Sequence, residues 1–382
     1  MSHYTHLGPF SDLVDAARRS RPVPPPAPPG PRTQRAVLDA LSFAPGSAQP
    51  QAIAIERSWE RDGVAGEEVS WSVGYGPRTH AWLLRPAGAS GRLPGVVALH
   101  DHGGFKYYGK EKIADGPDDA PALPAAFRED YYGGRAWANA LAREGFAVLV
   151  PDTFLWGSRR FPWEIVSGGD SAPEEAAAYN AAAGPHEHVV EKYCAMLGTT
   201  LAGVVSYEDR VAAAYLAGHA DVDSEAIGCL GLSGGGCRAA LLGATCDRIR
   251  ATVVVGMMST YEGLLDHNIV SHTWMFFPQS WSRHGDWADL AACRAPSPLL
   301  VQYDREDGLF TLEGMEAAHR RLAAHYEAVG HPSEYEGQFY SGPHKFDLEM
   351  QGAAFTWLVE RLKSGGTLRS ERWGCKRANP RG

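Results

Sequence analysis

A serine flanked by glycines lies between an apolar run and a stretch rich in alanine and leucine. Ser233, with Gly231 and Gly235, completes the pattern G-x-S-x-G. In that pattern the serine occupies a strained turn from a strand into a helix, which only small neighbours can flank. Such a turn, a nucleophile elbow, exposes the serine hydroxyl at the edge of a sheet. The spacing therefore predicts a serine nucleophile at position 233, and acyl transfer as its chemistry.

The same stretch allows a second interpretation. Gly234, Gly236 and Ala239 fit G-x-G-x-x-A, the phosphate-binding turn of dinucleotide-dependent oxidoreductases, which also joins a strand to a helix. That site expects an acidic residue about 20 positions onward, at the end of the next strand. Residues 253–258 contain no acid, and the turn comes late in the chain instead of opening the sheet. Both observations favour the elbow.

A serine hydroxyl attacks readily only beside a base, commonly a histidine, that a carboxylate orients. The apolar run 298–303 is followed by a polar turn that contains Asp304 and Asp307. We predict Asp307 as the acid, with Asp304 as the alternative. His344 follows the last predicted strand on a loop, whereas the other histidines beyond Asp307 lie on a helix or before a proline. The predicted catalytic set is therefore Ser233, Asp307 and His344.

Acyl transfer also needs backbone N–H groups that bind the oxyanion of the tetrahedral intermediate. Gly234 directly follows the nucleophile and is predicted to supply the first N–H. The second is expected from the glycine-rich loop after the apolar run 95–99, through His102 and, next in order, Gly103. The glycines of this loop let the backbone approach a substrate carbonyl closely.

That loop also allows a metal interpretation, because His100, Asp101 and His102 could all be ligands. A catalytic metal needs a further ligand at a recognised spacing, such as H-E-x-x-H. The sequence has none, so no metal is predicted.

Apolar runs that alternate with helical periods predict a doubly wound, mostly parallel sheet. Broken, β-rich stretches between residues 53 and 84 predict antiparallel opening strands. Later runs predict buried parallel strands, at residues 95–100, 146–152, 227–232, 251–257 and 298–303, and a last strand is predicted at residues 334–340. Helical periods predict intervening and final helices, at residues 137–143, 201–216, 234–242, 312–329 and 347–362.

The 382 residues divide into three predicted parts. Residues 1–50 form an N-terminal arm with seven prolines in residues 21–31, which favour an extended linker. Residues 51–365 form the catalytic domain, and residues 366–382 a C-terminal tail. Three stretches do not fit the strand and helix alternation and are predicted inserts near the site, at about residues 105–132, 157–198 and 259–287.

The composition and charge of the chain indicate which binding partners and which cellular location to expect. A formal charge of −9 disfavours nucleic acid and anionic membrane surfaces. The N-terminus shows no secretory signal and no run has membrane-spanning length. The six cysteines form no C-x-x-C pair, which favours reduced, buried thiols and a cytoplasmic location. A homodimer is plausible through the proline-rich arm.

Aromatic side chains concentrate in and beside the inserts and predict an aromatic substrate pocket. The predicted pocket residues are Trp156, Trp274, Phe276 and Trp281. Such walls favour a small-molecule or glycosidic ester as the substrate.

With these residues in this order, residues 52–363 resemble the α/β-hydrolase superfamily, and most of all its dienelactone-hydrolase-like and acetyl-xylan-esterase-like group. The stretch 222–236 resembles that group's approach to the elbow, and so do residues 285–290, which lead to residues 298–301 and 307–310. The resemblance implies a serine esterase with an eight-stranded sheet and no cofactor. Peptidase and lactonase activities on the same fold remain alternatives.

Two departures from the group matter. The nucleophile is serine, whereas dienelactone hydrolases proper carry cysteine, which puts lactone specificity in doubt. Asp101 stands where the group's oxyanion loop commonly has glycine, which leaves the second oxyanion donor open.

Overall fold

The computed structural model describes residues 4–20, 24–167, 176–266 and 268–363. The predicted tail at 366–382 lies outside these ranges, as do residues 21–23 of the proline-rich stretch and residues 168–175 of the second insert. None of the helices in the described ranges combines the length and the apolar run that crossing a bilayer requires.

A single mixed sheet of nine strands organises the described chain, in the order β1-β2-β3-β5-β4-β6-β7-β8-β9. Strands β1 to β3 are antiparallel, and β3 pairs antiparallel with β5. The remaining pairs in the sheet are parallel, so β4 to β9 form a parallel set of six strands. The strands are β1 Gln51–Arg61, β2 Val64–Ser72, β3 Thr79–Pro86, β4 Leu93–Leu99, β5 Ala147–Pro151, β6 Val222–Leu232, β7 Ile249–Val255, β8 Leu299–Asp304 and β9 Tyr335–Tyr340.

The predicted α/β-hydrolase fold is confirmed, but the described sheet has one strand more than the eight expected. The additional strand is β1, an edge strand whose residues are almost all exposed. It pairs only with β2, so it adds an antiparallel ribbon without changing the order of the other eight. By contrast, β5 and β8 are buried along their whole lengths. Burial along the whole strand suits parallel strands that are covered on both faces.

Helices cover both faces of the sheet, as a doubly wound architecture requires. The two apolar cores lie on opposite faces, one beneath α2 and α6 to α10 and the other beneath α3, α4 and α11. The helices are α1 Leu13–Ser20, α2 Pro31–Leu41, α3 Ala122–Tyr132, α4 Trp137–Arg143, α5 Trp163–Ser167, α6 Ala176–Met196, α7 Leu201–Gly218, α8 Gly234–Thr245, α9 Trp287–Ala292, α10 Leu312–Ala328 and α11 Leu348–Leu362.

The N-terminal arm contains a helix that sequence periodicity did not indicate. Pro31 begins α2, where a proline suits the first helical turn. Val37 and Leu41 are buried against the body of the protein, so this part of the arm packs on its own chain. The five cysteines in the described ranges are free and buried.

Candidate active site

The predicted elbow lies between β6 and α8. Ser233 has φ 56° and ψ −123°, a left-handed conformation that is strained for any residue other than glycine. Its N–H donates to the Val255 carbonyl at 2.9 Å, and its carbonyl accepts from the Cys237 N–H at 2.8 Å. Gly235 is required here, because a methyl group on it would lie 2.1 Å from the Leu99 carbonyl oxygen. The backbone thus presents the Ser233 hydroxyl at the carboxyl edge of the sheet.

The structure brings the predicted acid and base together. His344 Nδ1 lies 2.7 Å from Asp307 Oδ2, and the other oxygen of Asp307 accepts the Leu309 N–H at 2.8 Å. The alternative acid, Asp304, instead accepts the backbone N–H of Lys345 at 3.1 Å. The carboxylate bonded to the imidazole is therefore that of Asp307, whose side chain is almost completely buried.

The second ring nitrogen of His344 is available for proton transfer. Nε2 is buried and has no hydrogen-bond partner in the described part of the chain. Ser233 and His344 line the same cavity, of about 240 Å³. In this conformation the Ser233 hydroxyl does not donate to Nε2, and hydrogen bonds of this type often tighten only when substrate binds.

Nearby acids raise the pKa of this histidine. Burial by itself would lower the pKa of His344, but the hydrogen bond and the charge of Asp307 outweigh it and raise that pKa above the usual range. The charge of Asp304 adds to the effect. Burial raises the pKa of Asp304 itself to about 7, although the Lys345 N–H opposes the shift. The charge of Asp304 and the protonation of His344 are therefore linked.

A glycine that sequence analysis did not single out shapes the histidine site. Gly256 directly follows β7 with φ 56°, and a methyl group on it would lie 2.8 Å from His344 Cε1. The missing side chain lets the imidazole lie against the backbone. The signal was visible in the sequence as a glycine ending a run of valines, but only the fold shows what lies against it.

Gly256→Ala is expected to lower kcat by about 10-fold or more, because small displacements of a catalytic group are costly. The positive φ should also cost roughly 1–2 kcal/mol of unfolding free energy. Steady-state kinetics and denaturant unfolding measure the two effects. Gly330→Ala is the matched control, since Gly330 also has a positive φ but no atom within 4 Å of the added methyl. It should lose comparable stability and keep full activity; equal kcat values for the two variants would contradict the prediction.

The predicted oxyanion donors also meet at the cavity. Gly234, His102 and Gly103 all line it. A methyl group on Gly234 would lie 2.5 Å from the His102 nitrogen, so the elbow and the loop are in direct contact. Neither the Gly234 N–H nor the His102 N–H has a hydrogen-bond partner within the described ranges. Two unpaired N–H groups beside a nucleophile suit a developing oxyanion.

A buried carboxylate that sequence analysis missed connects three segments around the cavity. Glu187, on α6, accepts from His102 Nε2 at 3.1 Å and from Lys106 Nζ at 2.6 Å. Its other oxygen accepts the Thr273 hydroxyl at 2.8 Å and the Trp274 N–H at 3.1 Å. Burial opposes ionisation, but His102 and Lys106 lower the pKa of Glu187 strongly. No local pattern relates residues about 85 positions apart, so this link depended on the fold.

The predicted aromatic pocket needs correction, because none of its four residues lines the cavity. Trp156, Phe276 and Trp281 are buried in the hydrophobic core, where large aromatic side chains remove the most apolar area from water. Trp274 is partly exposed and donates its indole N–H to His188 at 2.8 Å. The apolar and aromatic residues that do line the cavity are Phe127, Tyr131, Leu232, Met257 and Leu309.

The two alternative site interpretations can be compared with the same geometry. His100 Nδ1 bonds to the Asp101 carbonyl and His102 bonds to Glu187, so these side chains do not converge. Among the described residues, the group able to hold a metal ion is Asp304, Asp307 and His344, which is the catalytic cluster itself. The N-terminus of α8 at Gly234 packs against the loop at His102, where a dinucleotide phosphate would have to lie.

No family model matches the chain. A search of curated proteins finds the Bacillus subtilis (strain 168) protein named "Putative hydrolase YtaP", which is 24% identical over 251 residues, or 65% of this chain and 72% of that protein.

Solved structures with the same fold include esterases. The "putative acetyl xylan esterase" of Bacteroides fragilis NCTC 9343 has a TM-score of 0.61 at 18% identity, over 81% of this chain and 74% of its own. A glucuronoyl esterase from Solibacter usitatus has a TM-score of 0.61 at 13% identity, over 86% and 92%. At these identities the likeness shows a shared fold.

Proposed function

We propose, from the α/β-hydrolase fold and the geometry of the cavity, that the chain is a serine ester hydrolase that works through an acyl-enzyme. The observation that carries the proposal is the 2.7 Å contact between His344 and Asp307 beside a cavity that Ser233 also lines. This arrangement can hold a base, in the correct tautomer, near a nucleophile. The esterases among the structures of the same fold support the same reaction class.

In the proposed first half-reaction, the Ser233 hydroxyl oxygen attacks the ester carbonyl carbon while its proton passes to His344 Nε2. The carbonyl oxygen becomes an oxyanion and accepts hydrogen bonds from Gly234 and His102. The intermediate collapses when the bond to the alcohol oxygen breaks and His344 gives that oxygen its proton. An acyl group then remains on Ser233, and the alcohol leaves.

In the second half-reaction, His344 takes a proton from water as the water oxygen attacks the acyl carbon. The bond to the Ser233 oxygen breaks, and the proton returns from His344 to that oxygen. Asp307 orients the imidazole and stabilises its charged form throughout. The proposed reaction uses no cofactor.

The cavity supports an uncharged ester with a small acyl group as the substrate. Its volume of about 240 Å³ lies below the roughly 300–1,000 Å³ of typical drug-sized ligand sites. Its described lining includes no lysine or arginine, which favours an uncharged substrate over an anionic one. Because peptidase and lactonase activities are alternatives, the test substrates should include peptides and lactones as well as simple esters.

A fluorophosphonate probe and p-nitrophenyl acyl esters test the proposal. We expect turnover of short acyl esters and covalent labelling at Ser233, with loss of fluoride and the modified peptide identified by mass spectrometry. Heat-unfolded protein is the control for nonspecific labelling. Absence of both labelling and turnover would overturn the proposed function.

The pH dependence of kcat/KM follows from the histidine. His344 must be neutral to accept the Ser233 proton, so activity should fall as pH decreases through its pKa. Because that pKa is raised, the acidic limb should have its midpoint above the usual histidine value of about 6.5. Asp304→Asn removes a neighbouring charge that raises the pKa and should move the midpoint to lower pH. A limb below pH 6 in the natural protein, or no movement in the variant, would contradict the assignment.

A further inference from the structure

A lysine in the first predicted insert lies directly beneath the loop that carries the second oxyanion donor. Lys112 is completely buried, and its Nζ donates to three backbone carbonyls, those of Asp101 at 3.0 Å, His102 at 2.8 Å and Phe105 at 2.8 Å. All three ammonium protons are thus directed at one loop. We propose that Lys112 is a positioning residue for the oxyanion hole, which fixes and polarises the peptide groups that bind the oxyanion.

The geometry of the peptide group connects Lys112 to the oxyanion donors. The carbonyl of Asp101 and the N–H of His102 belong to one planar trans unit, in which they point in opposite directions. When Lys112 holds that carbonyl from below, the His102 N–H must point away from it, to the side where Gly234 lies. The His102 carbonyl and the Gly103 N–H are related in the same way. Lys112 therefore orients both amides that sequence analysis considered as the second donor.

Lys112 also acts on the loop electrostatically. A cation bonded to a carbonyl draws electron density from that peptide group and makes its N–H a stronger donor, since linked hydrogen bonds polarise one another. The effect is largest in a site from which water is excluded. Lys112 has no exposed surface, so its charge acts on the loop with little screening.

The surroundings of Lys112 keep its side chain charged. The ring of Phe105 lies 4.1 Å from Nζ and Asp101 Oδ1 lies 3.8 Å from it, and both stabilise a cation. Tyr132 donates to the other oxygen of Asp101 at 2.5 Å. Burial lowers the pKa of Lys112 to about 8, with Asp101 opposing the shift, so the ammonium form predominates at pH 7.

This arrangement also explains the departure at Asp101. The resemblance places glycine at this position, which needs no partner, whereas here a carboxylate compensates a buried ammonium. The side chains of Asp101 and Lys112 thus form an ion pair beneath the loop backbone. The insert that contains Lys112 therefore contributes to the site.

The inference rests on the proposed function and is tested by comparing a tetrahedral mimic with a ground-state ligand. The Ser233 oxygen adds to the carbonyl carbon of a trifluoromethyl ketone as its proton passes to His344, and the carbonyl oxygen becomes an oxyanion, whereas the corresponding trifluoromethyl carbinol has no carbonyl and cannot react in this way. In Lys112→Met we expect roughly 10- to 100-fold weaker ketone inhibition and a similar fall in kcat, because one oxyanion donor is worth about 10²–10³. Binding of the carbinol and KM should change less than about 3-fold.

Lys110→Met is the matched control. Lys110 is also buried and also bonded to a carboxylate, Asp152, at 2.9 Å, but it does not touch the oxyanion loop. The Lys110→Met substitution should change the affinities for the ketone and for the carbinol equally, or change neither. Lys112→Gln, which retains two N–H donors without the charge, should fall between the natural protein and Lys112→Met.

Unfolding midpoints identify variants that fail to fold, and Lys112→Gln then replaces Lys112→Met in the comparison. Equal effects on ketone and carbinol, or Lys112 variants that match Lys110→Met, would overturn the inference. If the natural protein neither turns over esters nor reacts with the fluorophosphonate, the proposed function fails. If it does both and the Lys112 variants remain fully active, only the inference about Lys112 fails.

Discussion

Ser233→Ala should lower kcat for short acyl esters by at least about 10⁴-fold, because it removes the atom that forms the acyl-enzyme while the remaining groups cannot replace it. Labelling by the fluorophosphonate should disappear as well. The residual rate, if any, would come from binding and from the oxyanion donors acting on water. Initial rates with p-nitrophenyl acetate, corrected for spontaneous hydrolysis, provide the measurement.

The fold should survive this change. Alanine adopts the same φ of 56° with similar strain, and the elbow's backbone hydrogen bonds to Val255 and from Cys237 do not involve the hydroxyl. The unfolding free energy should stay within about 1 kcal/mol of that of the natural protein. More than a few per cent of the activity in the folded variant would show that another nucleophile performs the reaction.

Asp307→Asn and Asp304→Asn are expected to have very different effects on kcat. An amide at position 307 can donate to His344 Nδ1, which would favour the tautomer with the proton on Nε2 and disable the base. A loss of about 10⁴-fold in kcat is expected for this kind of change. The large effect is assigned to Asp307 because its Oδ2 lies 2.7 Å from His344 Nδ1.

Asp304→Asn should cost less than about 10-fold in kcat. Its Oδ2 accepts a backbone N–H from Lys345, and an amide oxygen can take over that role. Its charge affects the pKa of His344, so the change should appear in the pH profile and not as loss of the base. The reverse ranking of the two variants would assign the acid to Asp304.

Several elements followed from sequence with little change. The strand predicted at 146–152 is Ala147–Pro151, and the helix predicted at 312–329 is Leu312–Ala328. Helical and continuous apolar patterns are local signals, and here burial in a layered core agrees with them. The elbow is local in the same sense, because five consecutive residues contain the whole turn.

Other features of the site could not be found this way. The predicted aromatic pocket failed because aromatic content shows only that a side chain seeks burial, and Phe276 and Trp281 satisfy that need in the core. The bonds of Glu187 to His102 and of Lys112 to the same loop join residues from different segments. Their positions depend on how the inserts pack, for which no periodicity exists.

By itself, the sequence determined the layered fold, the serine at the turn, and the order in which an acid and a histidine follow it. These depend on residue type, spacing and the carboxyl ends of successive strands, all of which act over short stretches of chain. Only the tertiary structure decided that Asp307 and not Asp304 is hydrogen-bonded to His344, which residues line the cavity, and what lies beneath the oxyanion loop. Those outcomes differ by a few ångströms between residues far apart in the chain, and such distances are set by packing of the whole domain.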